Sequence, residues 1–465
     1  MNTRVQEIIF GGTSRLTEIF PVFGARALDA TFRGIGGSPA LSAMFDRYNR
    51  KVMKRVKEFR RFLVVPDIHI GDAALAQSTL TAIHDFFPDA EIDYAINKMV
   101  APIIEGNPDA ARILPLFSND RFPSSTEIGT LQEIIRKGRY DLCLMLCPFM
   151  RHKHLVDSRQ PSVSLLSHSA TILRNENDPN LINHFSYQEY LFVRGVLSMV
   201  AKPVREDSFR GVRTTYSDDA IENASAFYRD AGLSPRIPII MYNPDSACKY
   251  NMMPFVNQAA LLQQIAGDTI DETRILLGEG NTEAGIGARL LDSVPSELRS
   301  KIRIIPKSMR LEVYSALIDF ADVFVSGDTG PLHLAASRRY SRTGNHQFRN
   351  RTAVLSFFGA TMPRMSGYDS FQSGFLPSNQ DAPSWCYQAG SRCRNITCLN
   401  KMFKTCKNVL CFEHVDVNGL ATLVASYVNG LFQQTPAVWQ IHLPGHMTPN
   451  QRNAETPRDL SRAAI

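Results

Sequence analysis

The sequence predicts two Rossmann-like α/β domains facing a cleft, preceded by a helical N-terminal extension, and three observations carry that fold class. Its 465 residues leave room for two or three domains at about 150 residues each. Short apolar runs alternate with amphipathic stretches along most of the chain, which is the pattern of parallel βαβ units. The alternation pauses at the breaker-rich segment Ser234-Pro235-Arg236-Ile237-Pro238 and then restarts.

Composition fits this class. Hydrophobic residues make up 44% of the chain and charged residues 21%, as expected of a soluble globular protein and not of a disordered or collagen-like one. No apolar run approaches the ~18 residues of a spanning helix, and the N-terminus has no signal-peptide-like apolar core.

The first element is an extension over residues 1–60. From Leu41 onward, Leu41, Met44, Phe45, Tyr48, Val52, Val56 and Phe59 recur at steps of three and four with Arg and Lys between them, which predicts a basic amphipathic helix. Residues 1–61 hold 12 Lys and Arg against 5 Asp and Glu, so the other 404 residues carry 39 against 40 and are close to neutral at −1. A nucleic-acid-binding enzyme carries its basic surface on the folded body, so nucleic acid is not an expected partner. Two readings of the helix stand: it packs on the body with a solvated basic face, or it lies on an anionic membrane surface.

An N-terminal Rossmann-like domain is expected over 61–233. Phe62-Leu63-Val64-Val65 reads as a buried strand, followed by a long helix over 73–87, a strand over 91–96 and a helical stretch after Lys98. Next come a short strand near Ile113, a helix over 127–137, a strand over 141–146 and, after a less regular stretch, a helix over 187–199. A C-terminal Rossmann-like domain is expected over 234–435. It reads as strands over 239–243, 274–277, 302–305, 323–326 and 353–358, with helices over 254–265, 283–291 and 311–320 and a short one opening at Pro331. The polar tail over 436–465 reads as disordered.

The strongest local signal is Ser326-Gly327-Asp328-Thr329-Gly330-Pro331-Leu332-His333-Leu334-Ala335-Ala336. A strand ends at Ser326, Asp328 or Thr329 can cap a helix, Gly330 permits close backbone approach, and Pro331 suits the first turn. The free N–H groups of such a turn would face the cleft and hold a diphosphate without a metal ion, with His333 near enough to donate to it. An ordinary capped helix accounts for Asp-Thr-Gly-Pro equally well, but not for the histidine.

This block resembles the Asp-(Thr/Ser)-Gly-x-x-His-x-Ala-Ala hallmark of the heptosyltransferase family of bacterial glycosyltransferases, and the resemblance extends from about Phe62 to about Gly419. A second block, Leu63-Val64-Val65-Pro66-Asp67-Ile68-His69-Ile70-Gly71-Asp72, is similar to the family's opening strand and Gly-Asp loop. Phe87-Pro88-Asp89-Ala90 and Glu105-Gly106-Asn107-Pro108 follow in the family's order. A third, Asn243-Pro244-Asp245-Ser246-Ala247-Cys248-Lys249, resembles its Asn-Pro-Gly-Ala-Ser loop. The family's Lys-x-Trp-Pro becomes Lys249-Tyr250-Asn251-Met252-Met253-Pro254 here, with no tryptophan.

The resemblance implies a GT-B fold and a metal-independent, inverting glycosyl transfer that requires no cofactor. It implies Asp72 as general base, although Asp72 on its own also reads as an N-cap; read from the residues alone, His69 is the other candidate base or else a loop cap. It implies donor contacts from Ser246, Lys249, Glu283, Asp328, Thr329, Gly330 and His333, although Glu283 reads equally as a helix N-terminal carboxylate. The expected donor is a nucleotide diphosphate sugar of the ADP-heptose kind. The expected acceptor is a lipopolysaccharide-type or other glycan, or a lipid-linked one, reached from the cytoplasm at the inner membrane. A protein-modifying heptosyltransferase and a non-catalytic nucleotide-sugar-binding protein are the alternatives. The insertion from Ser337 to Thr352, where relatives have a short turn, reads as a surface or partner loop at the amino end of the sheet.

Of eight cysteines, five cluster as Cys386, Cys393, Cys398, Cys406 and Cys411. Cys393, Cys398, Cys406 and Cys411 have enough thiolates for one tetrahedral structural zinc or iron ion, though their spacings are looser than paired CxxC knuckles. Reduced structural thiols are the other reading, since the resemblance implies a reducing compartment.

Overall fold

Phe62, Leu63, Val64 and Val65 are all buried, as a continuous apolar run is when a strand is covered on both faces. The computed structural model describes residues 47, 49–66, 69–118, 124–146, 162–164, 184–206, 208–234, 237–247, 251–280, 285–359, 361, 363–368, 382–389, 410–412 and 415–432. In chain order, the first series is β1 (Arg61–Val65), α1 (Ile70–Leu75), α2 (Ser78–Phe86), β2 (Glu91–Asn97), α3 (Ala101–Ile104), β3 (Arg112–Phe117), α4 (Ser125–Gly138), β4 (Leu142–Met145) and β5 (Ser162–Ser164). These strands form a parallel sheet in the order β3-β2-β1-β4-β5. Then come α5 (Phe185–Leu197), β6 (Arg213–Tyr216) and α6 (Asp218–Asp230).

The second series is β7 (Ile239–Asn243), α7 (Phe255–Asp268), β8 (Arg274–Gly278), α8 (Ile286–Ser293), β9 (Ile302–Ile305), α9 (Leu311–Leu317), β10 (Val323–Gly327) and α10 (Gly330–Ala335). It continues with β11 (Arg338–Ser341), β12 (Ala353–Phe358), α11 (Pro363–Ser366), β13 (Ser384–Gln388) and α12 (Val417–Phe432). The second parallel sheet runs β13-β12-β10-β7-β8-β9, while β6 and β11 make a separate parallel pair. Strand order reverses between β1 and β4 in one sheet and between β7 and β10 in the other. Ligands bind at such switch points, outside the carboxyl ends of the strands.

Local chemistry explains where the elements start and stop. The expected single helix over 73–87 is two helices, α1 and α2. At the break the Ser78 hydroxyl reaches the Leu75 carbonyl at 3.2 Å and the Thr79 hydroxyl the Ala76 carbonyl at 2.6 Å, bonds that compete with a continuous helical ladder, and the Ser78 hydroxyl also donates to the Ser186 carbonyl at 2.7 Å. α4 opens with a capping box, in which Glu127 N–H donates to Ser124 Oγ at 3.2 Å and the Glu127 carboxylate accepts from Ser124 N–H at 2.7 Å. Burial disfavours the charge on Glu127, yet hydrogen bonds from Ser118 and Ser124 outweigh it and hold the carboxyl down to about 2. α5 is tied to α2 by buried Asp85, which accepts from the Tyr190 hydroxyl at 2.6 Å and also pairs with Arg194.

Residues 47 and 49–53 of the expected basic helix are helical, while 1–46 lie outside the described residues. Asn49, Val52 and Met53 are buried, and Phe59 stacks on Phe87 with ring centres 4.8 Å apart. Arg50, Lys51, Lys54, Arg55 and Lys57 are exposed. The described part of the helix therefore packs its apolar side on the body and turns its cations to solvent. The tail over 436–465 also lies outside the described residues.

The insertion over 337–352 is not the surface loop its basic composition suggested. Its strand β11 pairs with β6, residue by residue from Arg338 with Arg213 to Ser341 with Tyr216. Arg339 is fully buried because its terminal nitrogens reach oxygen: the Ala335 carbonyl at 3.0 Å, the Thr352 hydroxyl at 3.1 Å and the Asp319 carboxylate at 3.3 Å. Arg342 then spans elements, pairing with Glu312 at 3.0 Å and Glu105 at 3.2 Å. α6, β5, β6, β13 and α12 are likewise elements the sequence reading did not place.

Candidate active site

The chain leaving β1 reaches His69, which occupies the N-cap position of α1 with extended backbone, and Asp72 stands in the first turn of that helix. His69 Nδ1 lies 3.7 Å from Asp72 Oδ2, and each side chain is 51% exposed. Between them sits Gly71. A Cβ at Gly71 would lie 2.8 Å from His333 Cδ2, and one at Gly330 would lie 2.9 Å from Ile70 Cγ2. α1 and α10 thus meet glycine against glycine, an approach that larger residues would block. The predicted base is thereby carried to the predicted donor motif on the other sheet.

On the donor side, β10 delivers Asp328 and Thr329 at its carboxyl end. Thr329 is the N-cap of α10 in extended backbone, and Pro331 falls in the first turn, as the sequence pattern requires. Asp328 is buried, and its carboxylate faces the Asn251 side-chain amide at 3.3 Å and accepts from the Thr361 hydroxyl. The Asn251 amide also donates to the Asp328 carbonyl at 2.9 Å. His333 is buried, with Nδ1 2.9 Å from the Tyr368 hydroxyl and Nε2 4.0 Å from Asp328 Oδ1. Burial pushes the imidazole down to about 4 against the opposing pull of Asp328, so the ring is neutral near pH 7. The ring of His184, also buried, lies 5.0 Å from that of Tyr368.

The neighbouring strand β7 ends at Asn243, whose side-chain amide reaches Ser326 Oγ at 3.0 Å and the Asp245 carbonyl at 3.0 Å. Its Oδ1 accepts from the Tyr314 hydroxyl at 3.3 Å. Ser246 follows, buried, with its N–H on Asp245 Oδ1 at 2.9 Å. The structure therefore gathers Ser246, Asp328, Thr329, Gly330 and His333 at the carboxyl ends of β7 and β10, and brings Ile70 and Gly71 of α1, next to Asp72, against Gly330 and His333. Lys249 and Glu283 lie outside the described residues.

Asn243, Asn251, Thr361 and Tyr368 are site residues that the sequence reading did not single out for these contacts. An asparagine closing a fully apolar strand was a usable signal for Asn243. The others are brought in by tertiary folding. A further block of the motif pattern, Glu105-Gly106-Asn107-Pro108, is structural: the Asn107 amide donates to Gln77 Oε1 at 2.8 Å, and Gly106 turns with φ 84°.

Of the expected metal ligands, Cys393, Cys398 and Cys406 lie outside the described residues. Cys411 is buried in the core of the second sheet beside Phe412, and Cys386 is buried on β13 in a different apolar cluster. Among the described residues no three His, Cys, Asp or Glu side chains are grouped so as to hold a metal ion. Cys143 is buried in β4, where burial alone pushes its thiol up to about 12.

Comparison with known proteins bears on the donor half first. Residues 263–340, which include the Asp328 to His333 motif, match the model of glycosyltransferase family 9 (heptosyltransferase). The structure is similar to that of a glycosyl transferase family 9 protein from Veillonella parvula, at 16% identity over 81% of this chain and 98% of that one, with a TM-score of 0.57. It is also similar to ADP-heptose lps heptosyltransferase II of E. coli, at 16% identity over 78% of this chain and 99% of that one, with a TM-score of 0.50. No curated protein matches the sequence. The matched family segment and the shared two-sheet architecture bear out the resemblance to the heptosyltransferase family, and the chain is a glycosyltransferase of the GT-B fold.

Proposed function

We propose that the enzyme transfers a heptose-like sugar, with inversion, from a nucleotide diphosphate donor to a lipopolysaccharide-type or other glycan acceptor. The observation that supports this reading is the contact between α1 and α10, in which Gly71, the residue before Asp72, lies against Gly330 and His333. In this reading the acceptor hydroxyl attacks the anomeric carbon while the Asp72 carboxylate takes its proton. The bond to the diphosphate breaks on the opposite face, and the leaving group keeps the electron pair. Hydrogen-bond donors already fixed around the turn after β10 stabilise the charge that develops there, with Ser246, Lys249 and Glu283 completing the donor contacts that the family resemblance implies. No cofactor is needed for these steps.

The reading places the enzyme on the cytoplasmic face of the inner membrane, near a lipid-linked acceptor. What supports this is the exposed basic side of residues 50–57, set on a body whose net charge is close to zero. ADP-heptose is the first donor to try, because it appears in the name of the E. coli protein of similar fold.

Calorimetric titration with ADP-heptose and other nucleotide sugars, followed by transfer assays, tests the proposal. Binding of a nucleotide sugar followed by transfer with inversion is expected. The Asp72→Ala variant should bind donor nearly as well as the wild type while transferring about 10²- to 10⁴-fold more slowly. Wild-type transfer by that variant would remove Asp72 as the base. Failure of the wild type to bind any nucleotide sugar would overturn the reading as a whole.

A further inference from the structure

His69 is the residue of this loop that the proposed chemistry leaves unused. It stands at the N-cap position of α1, one turn before Asp72, with Nδ1 3.7 Å from the carboxylate and both groups about half exposed. Its side chain makes no capping hydrogen bond to the helix, so the usual structural duty of an N-cap residue does not account for it. Titratable groups close to this turn include Asp72 on α1 itself and, across the glycine contact, His333 with Asp328 behind it on α10. His333 is buried and bonded to Tyr368, which makes it a poor terminus for a proton leaving the site. His69 opens to water.

We propose that His69 is a positioning residue for Asp72, orienting its carboxylate toward the acceptor and receiving the proton that Asp72 removes. This rests on Asp72 being the base. The steps balance without any further reactant. The acceptor oxygen bonds to the anomeric carbon, its proton passes to the Asp72 carboxylate, and the carbon–oxygen bond to the diphosphate breaks with the electron pair going to the leaving group. The proton then moves from Asp72 to the neutral imidazole of His69 and on to solvent, restoring the carboxylate for the next turnover. A protonated His69 cannot accept that proton, so turnover acquires an ionisation in the imidazole range, about pH 6.5.

The test is the pH profile of kcat for the wild type, His69→Gln and Asp72→Glu, together with an NMR titration of the His69 ring. In the wild type, kcat should fall on the acid side with a midpoint in the imidazole range. In His69→Gln, kcat near neutral pH should drop about tenfold and the acid limb should move into the carboxylate range. Asp72→Glu should retain the imidazole-range limb. The His69 midpoint seen by NMR should fall by about half a pH unit in Asp72→Asn, since an opposite charge at this distance favours the imidazolium. An unchanged acid limb in His69→Gln, or a His69 titration indifferent to Asp72→Asn, overturns the assignment while leaving Asp72 as base intact. Full transfer by Asp72→Ala defeats the underlying reading and this inference with it.

Discussion

Glu127 shows how much one side chain can hold. Its carboxylate accepts from Ser124 N–H at 2.7 Å and Ser118 N–H at 2.6 Å while nearly buried, joining the start of α4 to the end of β3. The carboxyl is held down to about 2 in the folded chain against 4.5 for an unperturbed glutamate. Because the folded value is the lower one, its stabilisation is complete above about pH 4.5 and disappears as pH falls toward 2. Glu127→Gln should cost about 1–2 kcal/mol near neutral pH, and urea unfolding of the variant should depend less steeply on pH between 5 and 3 than that of the wild type. Asp328, Thr329, Gly330 and His333 were legible as a spacing, because caps and tight turns use neighbours three or four positions apart; Ser124 and Glu127 carry the same kind of spacing, but the helix was expected to open only at Glu127. The partner of His333 was not legible: Tyr368 lies 35 residues further on and has no local pattern pointing to it.

At the scale of elements, the strands read best. β1, β7, β10 and β12 are mostly apolar and, apart from Arg61 at the start of β1, buried, and no competing periodicity obscures them. The division of one expected helix into α1 and α2 escaped the sequence because the Ser78 hydroxyl at the break also bonds the carbonyl of Ser186, more than a hundred residues away. α6 carried its own signal, since Ser217 accepts from Ala220 N–H at 3.2 Å and Asp218 and Asp219 fill the first turn. The meeting of α1 with α10 is the contact on which the proposed chemistry depends. Gly71→Ala would place a methyl 2.8 Å from the His333 ring, and a buried ring bonded to Tyr368 has little room to give way. Gly71→Ala should therefore leave overall folding nearly unchanged by circular dichroism while lowering kcat/KM about tenfold or more, as misplacement near a reacting group does. Wild-type kcat/KM in that variant would mean that the two helices can separate at no cost to catalysis.

For the whole molecule, charge and architecture divide along the same line. A near-neutral body carries a short helix whose inner side, with Asn49, Val52 and Met53, is buried and whose cations face out. Binding to anionic lipid through this surface would be electrostatic and screened by salt, at about 1 kcal/mol for each Lys or Arg near the membrane. Replacing Arg50, Lys51, Lys54 and Lys57 together by Gln in the full chain should abolish co-sedimentation with phosphatidylserine-containing vesicles at low salt. Equal sedimentation of variant and wild type would show that another surface makes the contact. The two Rossmann-like halves were legible from a repeated alternation, but the β6–β11 pair was not, since strands of four residues without an apolar run give too little pattern to read. That pair has a consequence for building hybrids. Exchanging one half for that of a protein without a matching strand would leave the other strand's backbone N–H and C=O groups as a bare edge, so these halves form a fitted couple and not interchangeable modules.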